Sequence, residues 1–295
     1  VNISTQMNVS NFETVKYFAK FADVIILARE LSLKQIKDIC DRIKKEKIKG
    51  PSGDLVKIEI FIHGALCVSI SGKCYMSLAQ YNTSANRGQC YQTCRRSYRV
   101  IDDETGQELV VDNKYVMSPK DLCTITVLDK ILKSGVSILK IEGRGRSVDY
   151  VYETIKVYRE AIDNFNLDSV ESWIKRLESV YNRGFWQGGY YLGEKLGEWS
   201  GTYGSKATQK KKYVGDVENY YVKNNVVLIK VIDNGFKIGD NLLITGVTTG
   251  AVSVVVDSIF IDKNVDNCKK GDFVTIVCDK VRKKDKVYVL KNRNV

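Results

Sequence analysis

The sequence predicts an α/β domain followed by a small all-β domain, and three observations carry that reading. Short apolar runs alternate with amphipathic stretches of helical period through the first half of the chain. A polar, basic stretch at residues 200–212 then interrupts the pattern. From Tyr213 to Val295, short apolar runs follow one another with only turn residues between them. A length of 295 residues agrees with about two domains.

Each element has a local cause. Val1–Gln6 reads as a strand, and Asn11 caps a helix at N-F-E-T-V-K-Y-F-A-K. Asp23–Leu27 is an apolar strand. Ser32 caps a second helix whose Leu33, Ile36, Ile39 and Ile43 share one face. Pro51–Gly53 is a turn, and Lys57–Ile62 alternates as a strand should. This β–α–β–α–β order implies parallel strands joined by crossover helices. From His63 to Tyr98 the rhythm gives way to an irregular loop rich in Gly, Ser, Asn and Thr. A hairpin is expected over Tyr98–Val111, turning at Asp102–Gly106. Ser118-Pro119 is read as the start of a helix running to Lys133 and carrying Cys123. Val136–Ile141 reads as a strand, with helices near Val148–Asn164 and Leu167–Tyr181. Five or more strands after residue 212 predict a small barrel or sandwich.

Lys and Arg outnumber Asp and Glu by 46 to 35, a net charge of +11 that suits an anionic partner, RNA before any other. DNA is not expected. No run approaches the roughly 18 apolar residues of a membrane span, and no signal peptide is visible. The chain is therefore expected in the cytoplasm. It opens at Val1 without an initiator methionine, directly in a strand-like run, and is expected to lack an N-terminal portion.

Five of the eight cysteines, Cys67, Cys74, Cys90, Cys94 and Cys123, follow the chain's only histidine, His63. In a reducing compartment, clustered thiols point to metal or iron–sulfur ligation rather than to disulfides. The spacing C-x6-C-x15-C-x3-C lacks the tight C-x2-C pairs of a zinc finger and suits a larger cluster. Five thiols for four positions leaves one spare. Cys40, Cys268 and Cys278 read as structural.

The segment E-I-F-I-H-G-A-L-C-V-S-I-S-G-K-C (Glu59–Cys74) resembles the signature of peptidase family U32. The likeness extends through S-T-Q-M-N-V-S-N (Ser4–Asn11), L-A-R-E-L-S-L (Leu27–Leu33), G-Q-C-Y-Q-T-C-R-R-S-Y (Gly88–Tyr98), S-P-K-D-L-C (Ser118–Cys123), L-K-I-E-G-R (Leu139–Arg144) and R-G-F-W-Q-G-G-Y-Y-L-G (Arg183–Gly193). The resemblance implies a partial TIM-type barrel whose first strands precede Val1, and a four-iron, four-sulfur cluster. On the residue match Cys67, Cys74 and Cys90 are ligands, and the fourth is Cys94 or Cys123. It implies either peptidase activity or oxygen-independent hydroxylation of a tRNA uridine, a ribosomal RNA cytidine or a quinone precursor. The tRNA branch draws on prephenate. The basic charge and the β domain favour the tRNA reading. A cluster-bearing RNA-binding module without catalysis is a further alternative.

Protease chemistry is hard to build from these residues. One histidine cannot supply a zinc protease's ligands. A His63–Cys67 dyad would spend a thiol that belongs to the cluster pattern. Active sites of TIM barrels sit at the C-terminal ends of strands. That places Arg29, Glu30, His63, Glu142, Arg144 and Arg146 in a pocket. Glu30, His63 and Glu142 are candidate acids, bases or orienting groups. Arg29, Arg144 and Arg146 could hold a small carboxylate donor. Arg95, Arg96 and Lys210–Lys212 are candidate phosphate contacts. Tyr152 and Tyr158 read as packing.

Overall fold

The computed structural model describes residues 1–108, 117–194 and 198–293. They form two compact units, one of Val1–Arg144, Val157–Lys175 and Asn182–Lys206, the other of Gly145–Lys156, Arg176–Tyr181 and Ala207–Val295. The sequence boundary at 200–212 brackets the passage at Lys206. The two short excursions into the β-rich unit, within otherwise helical stretches, have no counterpart in a linear reading.

The first unit is built on a mixed sheet. Strands β1 (Asn2–Ile3), β2 (Val24–Ile26) and β3 (Lys57–Gly64) pair in parallel, in register Asn2↔Val24 and Ile25↔Ile58. Helix α1 (Phe12–Phe18) bridges the first two and α2 (Leu33–Lys45) the next two. Both caps act as their sequences specify. Asn11 accepts from the Thr14 amide, and Ser32 and Gln35 form a reciprocal capping box. Ile36, Ile39 and Ile43 of α2 are buried. On β3, Ile58, Ile60 and Ile62 are buried on one face and Glu59, Phe61 and His63 on the other, as befits a strand covered on both sides.

A short helix α3 (Met76–Tyr81) lies inside the cysteine region. The segment read as a helix from Ser118 is instead β4 (Asp121–Cys123), antiparallel to β3 with His63 opposite Cys123. A helix, α4, covers only Leu128–Leu132. Strand β5 (Ile138–Ile141) is parallel to β3. The helices α5 (Val148–Asp163) and α6 (Val170–Ser179) follow. Strand β6 (Phe185–Gln187) then pairs with β4 in parallel. All three β4 residues are buried, and their two ladders override the Ser-Pro capping signal. The expected hairpin closes at Ile101↔Glu108 over a turn held by Asp102; its positions 109–111 lie outside the described residues. The parallel run β1–β2–β3–β5 is the α/β arrangement read from the sequence. A TIM-type barrel contains only parallel strands, and the antiparallel β4 departs from it.

The second unit contains one antiparallel sheet of order β10-β9-β14-β7-β8-β13-β11-β12. Its strands are β7 (Gln209–Tyr221), β8 (Val226–Val231), β9 (Asn241–Gly246), β10 (Gly250–Val255), β11 (Ile259–Ile261), β12 (Lys263–Val265), β13 (Phe273–Val277) and β14 (Lys286–Asn292). Gln209–Lys212, assigned to the linker, begin β7 because they pair with Val289–Asn292 of β14. Inward residues from strands along the whole sheet, among them Val214, Ile229, Ile244, Ile259, Ile276 and Val289, share one core, so the sheet wraps around it. Among the described residues no helix is long and apolar enough to cross a membrane.

Candidate functional site

Ligands of open α/β sheets bind beyond the carboxyl ends of the strands. Here β2, β3 and β5 end side by side, and their following residues meet. Gly64 closes β3 at φ +114°, where a Cβ would stand 2.6 Å from Glu142 Cβ. Only glycine permits this approach of the β3 end to the residue after β5. The Glu142 amide donates to His63 O at 2.8 Å, and its carboxylate accepts the Arg144 amide at 2.8 Å. The Arg144 guanidinium extends toward Gly88, two residues before Cys90.

After β2, Arg29 donates from Nη1 to Ala65 O at 3.3 Å, and its guanidinium lies 5.4 Å from the Phe61 ring centroid. Lys140 faces the same ring at 5.4 Å and pairs with the buried Glu59 at 2.9 Å. Glu30 accepts the Ser71 amide at 2.9 Å and its hydroxyl at 3.1 Å. Ser71, between Cys67 and Cys74, is buried, so Glu30 anchors the cysteine loop to the end of β2.

Cys67, Cys74, Cys90 and Cys94 are free thiols. Burial pushes the Cys94 thiol up to about 11. Arg95 draws it down, and Cys67, Cys90 and Cys74 raise it again. The Cys94 sulfur therefore lies within electrostatic reach of Cys67, Cys74 and Cys90. Among the described residues no three His, Cys, Asp or Glu are drawn together tightly enough for a single metal ion.

Cys123 lies on a strand rather than in the loop. It is fully buried on β4, with Sγ 3.9 Å from the Tyr158 hydroxyl. That hydroxyl donates to Ile62 O at 3.0 Å, accepts the Thr124 amide at 3.0 Å and lies 3.4 Å from His63 Nδ1. Burial first, then the Cys123 charge, pushes the Tyr158 phenol well above its usual range. His63 is 2% exposed, its ring packed between Tyr158 and Phe185. Tyr158, read as packing, is thus a polar junction joining β3, β4 and α5. The sequence placed it on a helix as a packing residue but could not show what its hydroxyl meets. The main chain at this junction has other partners, because the Thr124 amide and hydroxyl both also donate to Ile62 O. Tyr158→Phe is accordingly expected to cost only about 1 kcal/mol, and Tyr158→Ala about 3–5 kcal/mol. Urea unfolding of both variants checks the contrast, and equal losses would contradict it.

Two arginines depart from the sequence reading. Arg95, a candidate phosphate contact, is buried and donates to Leu66 O, Pro119 O and Ser118 Oγ at 2.5, 2.5 and 3.1 Å. It pins the cysteine loop to the segment before β4 and has no access to a phosphate. Arg146 belongs to the β-rich unit, where its guanidinium stacks 4.0 Å from the Tyr181 ring centroid. Of the basic run in β7, Lys211 pairs with Asp149 at 2.6 Å. A residue given no role by the sequence completes the site. Arg183, in the turn before β6, pairs with the buried Asp121 at 3.3 Å and donates to Gln92 Oε1 at 3.0 Å, beside Cys90.

Known proteins resemble this chain. A collagenase of Porphyromonas gingivalis is 45% identical over 295 residues, covering 98% of this chain and 71% of that protein. The tRNA hydroxylation protein P1 of Bacillus subtilis is 32% identical over 256 residues, covering 82% and 57%. The 23S rRNA 5-hydroxycytidine C2501 synthase of Escherichia coli is 38% identical over 164 residues, covering 55% and 23%. The model of peptidase family U32 matches residues 1–201, the whole stretch that carries the cysteine loop and the strand ends around it. The chain therefore belongs to peptidase family U32.

Proposed function

We propose that this chain holds an iron–sulfur cluster on Cys67, Cys74, Cys90 and Cys94 and serves oxygen-independent hydroxylation of an RNA base, a tRNA uridine first. The observation that carries the reading is the set of four free thiols in one loop beyond β3, with Cys94 within electrostatic reach of the other three. Soft thiolates in fours suit an iron–sulfur cluster, and their spacing in sequence lacks the tight C-x2-C pairs of a zinc finger. Such a cluster supplies one-electron or Lewis-acid chemistry when bound.

The chain's own residues have separable parts in this reading. Arg95 and Glu30 hold the loop in place from either side. Arg29 spends one N–H on Ala65; its other guanidinium donors make no hydrogen bond among the described residues. They are available to a carboxylate of a small donor of the prephenate type. Glu142 and Arg144 line the adjacent strand end. His63, buried against Tyr158, orients the end of β3 rather than moving a proton to a substrate.

The 45% identity to a collagenase favours a second reading, peptidase activity. The buried His63 argues against it, since a general base must reach the proton it abstracts. Mass spectrometry of tRNA nucleosides from a strain lacking the gene tests the choice. Loss of one hydroxylated uridine, restored by the wild-type gene and not by its Cys67→Ala variant, is expected. An unchanged nucleoside profile together with gelatin cleavage by cluster-free protein would replace hydroxylation with proteolysis.

A further inference from the structure

We infer that the outer face of β8, β13 and β11 in the β-rich unit is a stacking platform for single-stranded RNA. The inference rests on the RNA reading above and adds where the strand is held. Inward residues of these strands fill the core; their outward partners should be polar if the face met only water. They are not. Phe273 and Phe260 are 51% and 48% exposed. Phe260 pairs with Thr275, two residues from Phe273, so both rings leave the same face. Leu228 and Val226 of β8 and Val277 of β13 continue it.

The face also carries a cation beside its rings. Lys230, opposite Phe273, holds its ammonium 5.6 Å from that ring's centroid. The neighbouring carboxylate of Asp216 is already engaged by Lys286 at 2.8 Å and by the Tyr213 hydroxyl at 2.6 Å. From Ala207 onward the sequence has 16 Lys and Arg against 10 Asp and Glu. Exposed aromatic rings interleaved with cations are what unstacked bases and their phosphates require. At the far end of the strip Val277 also lines a cavity of about 280 Å³ with Asn225, Ser253, Ser258, Asp257 and Asp279. Those groups offer donors and acceptors to a base edge.

A contact between two protein chains would need apolar area but no π-face, and this separates the occupants. Binding of a fluorescent single-stranded RNA to the full chain is measured by anisotropy at two salt concentrations, beside its oligomeric state. Phe273→Ala and Phe260→Ala are each expected to weaken binding roughly 5- to 150-fold. Phe273→Leu should weaken it comparably, and Phe273→Trp should retain it. Both positions point outward, and matching unfolding curves would confirm intact folds. Wild-type affinity in both alanine variants would overturn the platform while leaving RNA binding intact. No salt-sensitive binding by the wild-type chain would instead overturn the RNA reading beneath it. Concentration-dependent dimers, dispersed by Phe273→Ala and retained by Phe273→Leu, would assign the face to a second copy.

Discussion

Cys94→Ala is expected to abolish iron and sulfide incorporation in chain reconstituted without oxygen, and Cys123→Ala to retain roughly four of each. The family pattern admits both thiols as fourth ligand, and their surroundings differ. Cys94 lies in the loop of the other three, close enough for their charges to act on it. Cys123 is inside a strand paired on both edges, by His63 on one side and Gln187 on the other. Its sulfur faces the Tyr158 hydroxyl. Turning it toward a cluster would strip the junction at Tyr158 of a partner. Metal and sulfide content with the visible absorption spectrum decides the matter without reference to activity. Retention in Cys94→Ala and loss in Cys123→Ala would reverse the assignment.

What the sequence disclosed was what local chemistry determines. Asn11 and Ser32 cap their helices because a cap needs only the next three residues. Cys67, Cys74, Cys90, Cys94 and Cys123 could be read together as candidates because they lie within one stretch of 57 residues. The misreadings arise where distant segments decide. Ser118-Pro119 has the form of a helix start, but Asp121–Cys123 gain more from pairing with β3 and β6. Gln209–Lys212 have the composition of a linker, yet β14 recruits them into a strand. Phe185–Gln187 carried no strand signal beyond three residues between glycines. Tyr158 and Arg183 act through partners 95 and 62 positions away, which no spacing rule reaches.

The adjacent pair Arg95 and Arg96 makes that difference measurable. In sequence they are equivalent, two cations after Cys94. Folded, Arg95 is buried with three hydrogen bonds to oxygens, and Arg96 is exposed with its guanidinium 5.5 Å from the Tyr81 ring centroid. Arg95→Ala is expected to cost about 3–5 kcal/mol, because it strands buried acceptors and removes the cation facing Asp121 and the thiols. Arg96→Ala should cost no more than about 1 kcal/mol. Arg95→Lys should recover little, since one ammonium on a flexible stem cannot span Leu66, Pro119 and Ser118 as a planar fork does. Against a total stability of about 5–15 kcal/mol, the Arg95→Ala loss is large enough to open the cysteine loop. Urea unfolding should show the lower midpoint, and limited proteolysis should cut first between Cys67 and Tyr98. Equal stability of the two alanine variants would mean that Arg95 does not hold the loop. A weakened RNA affinity in Arg95→Ala with unchanged stability would return Arg95 to the role of phosphate contact.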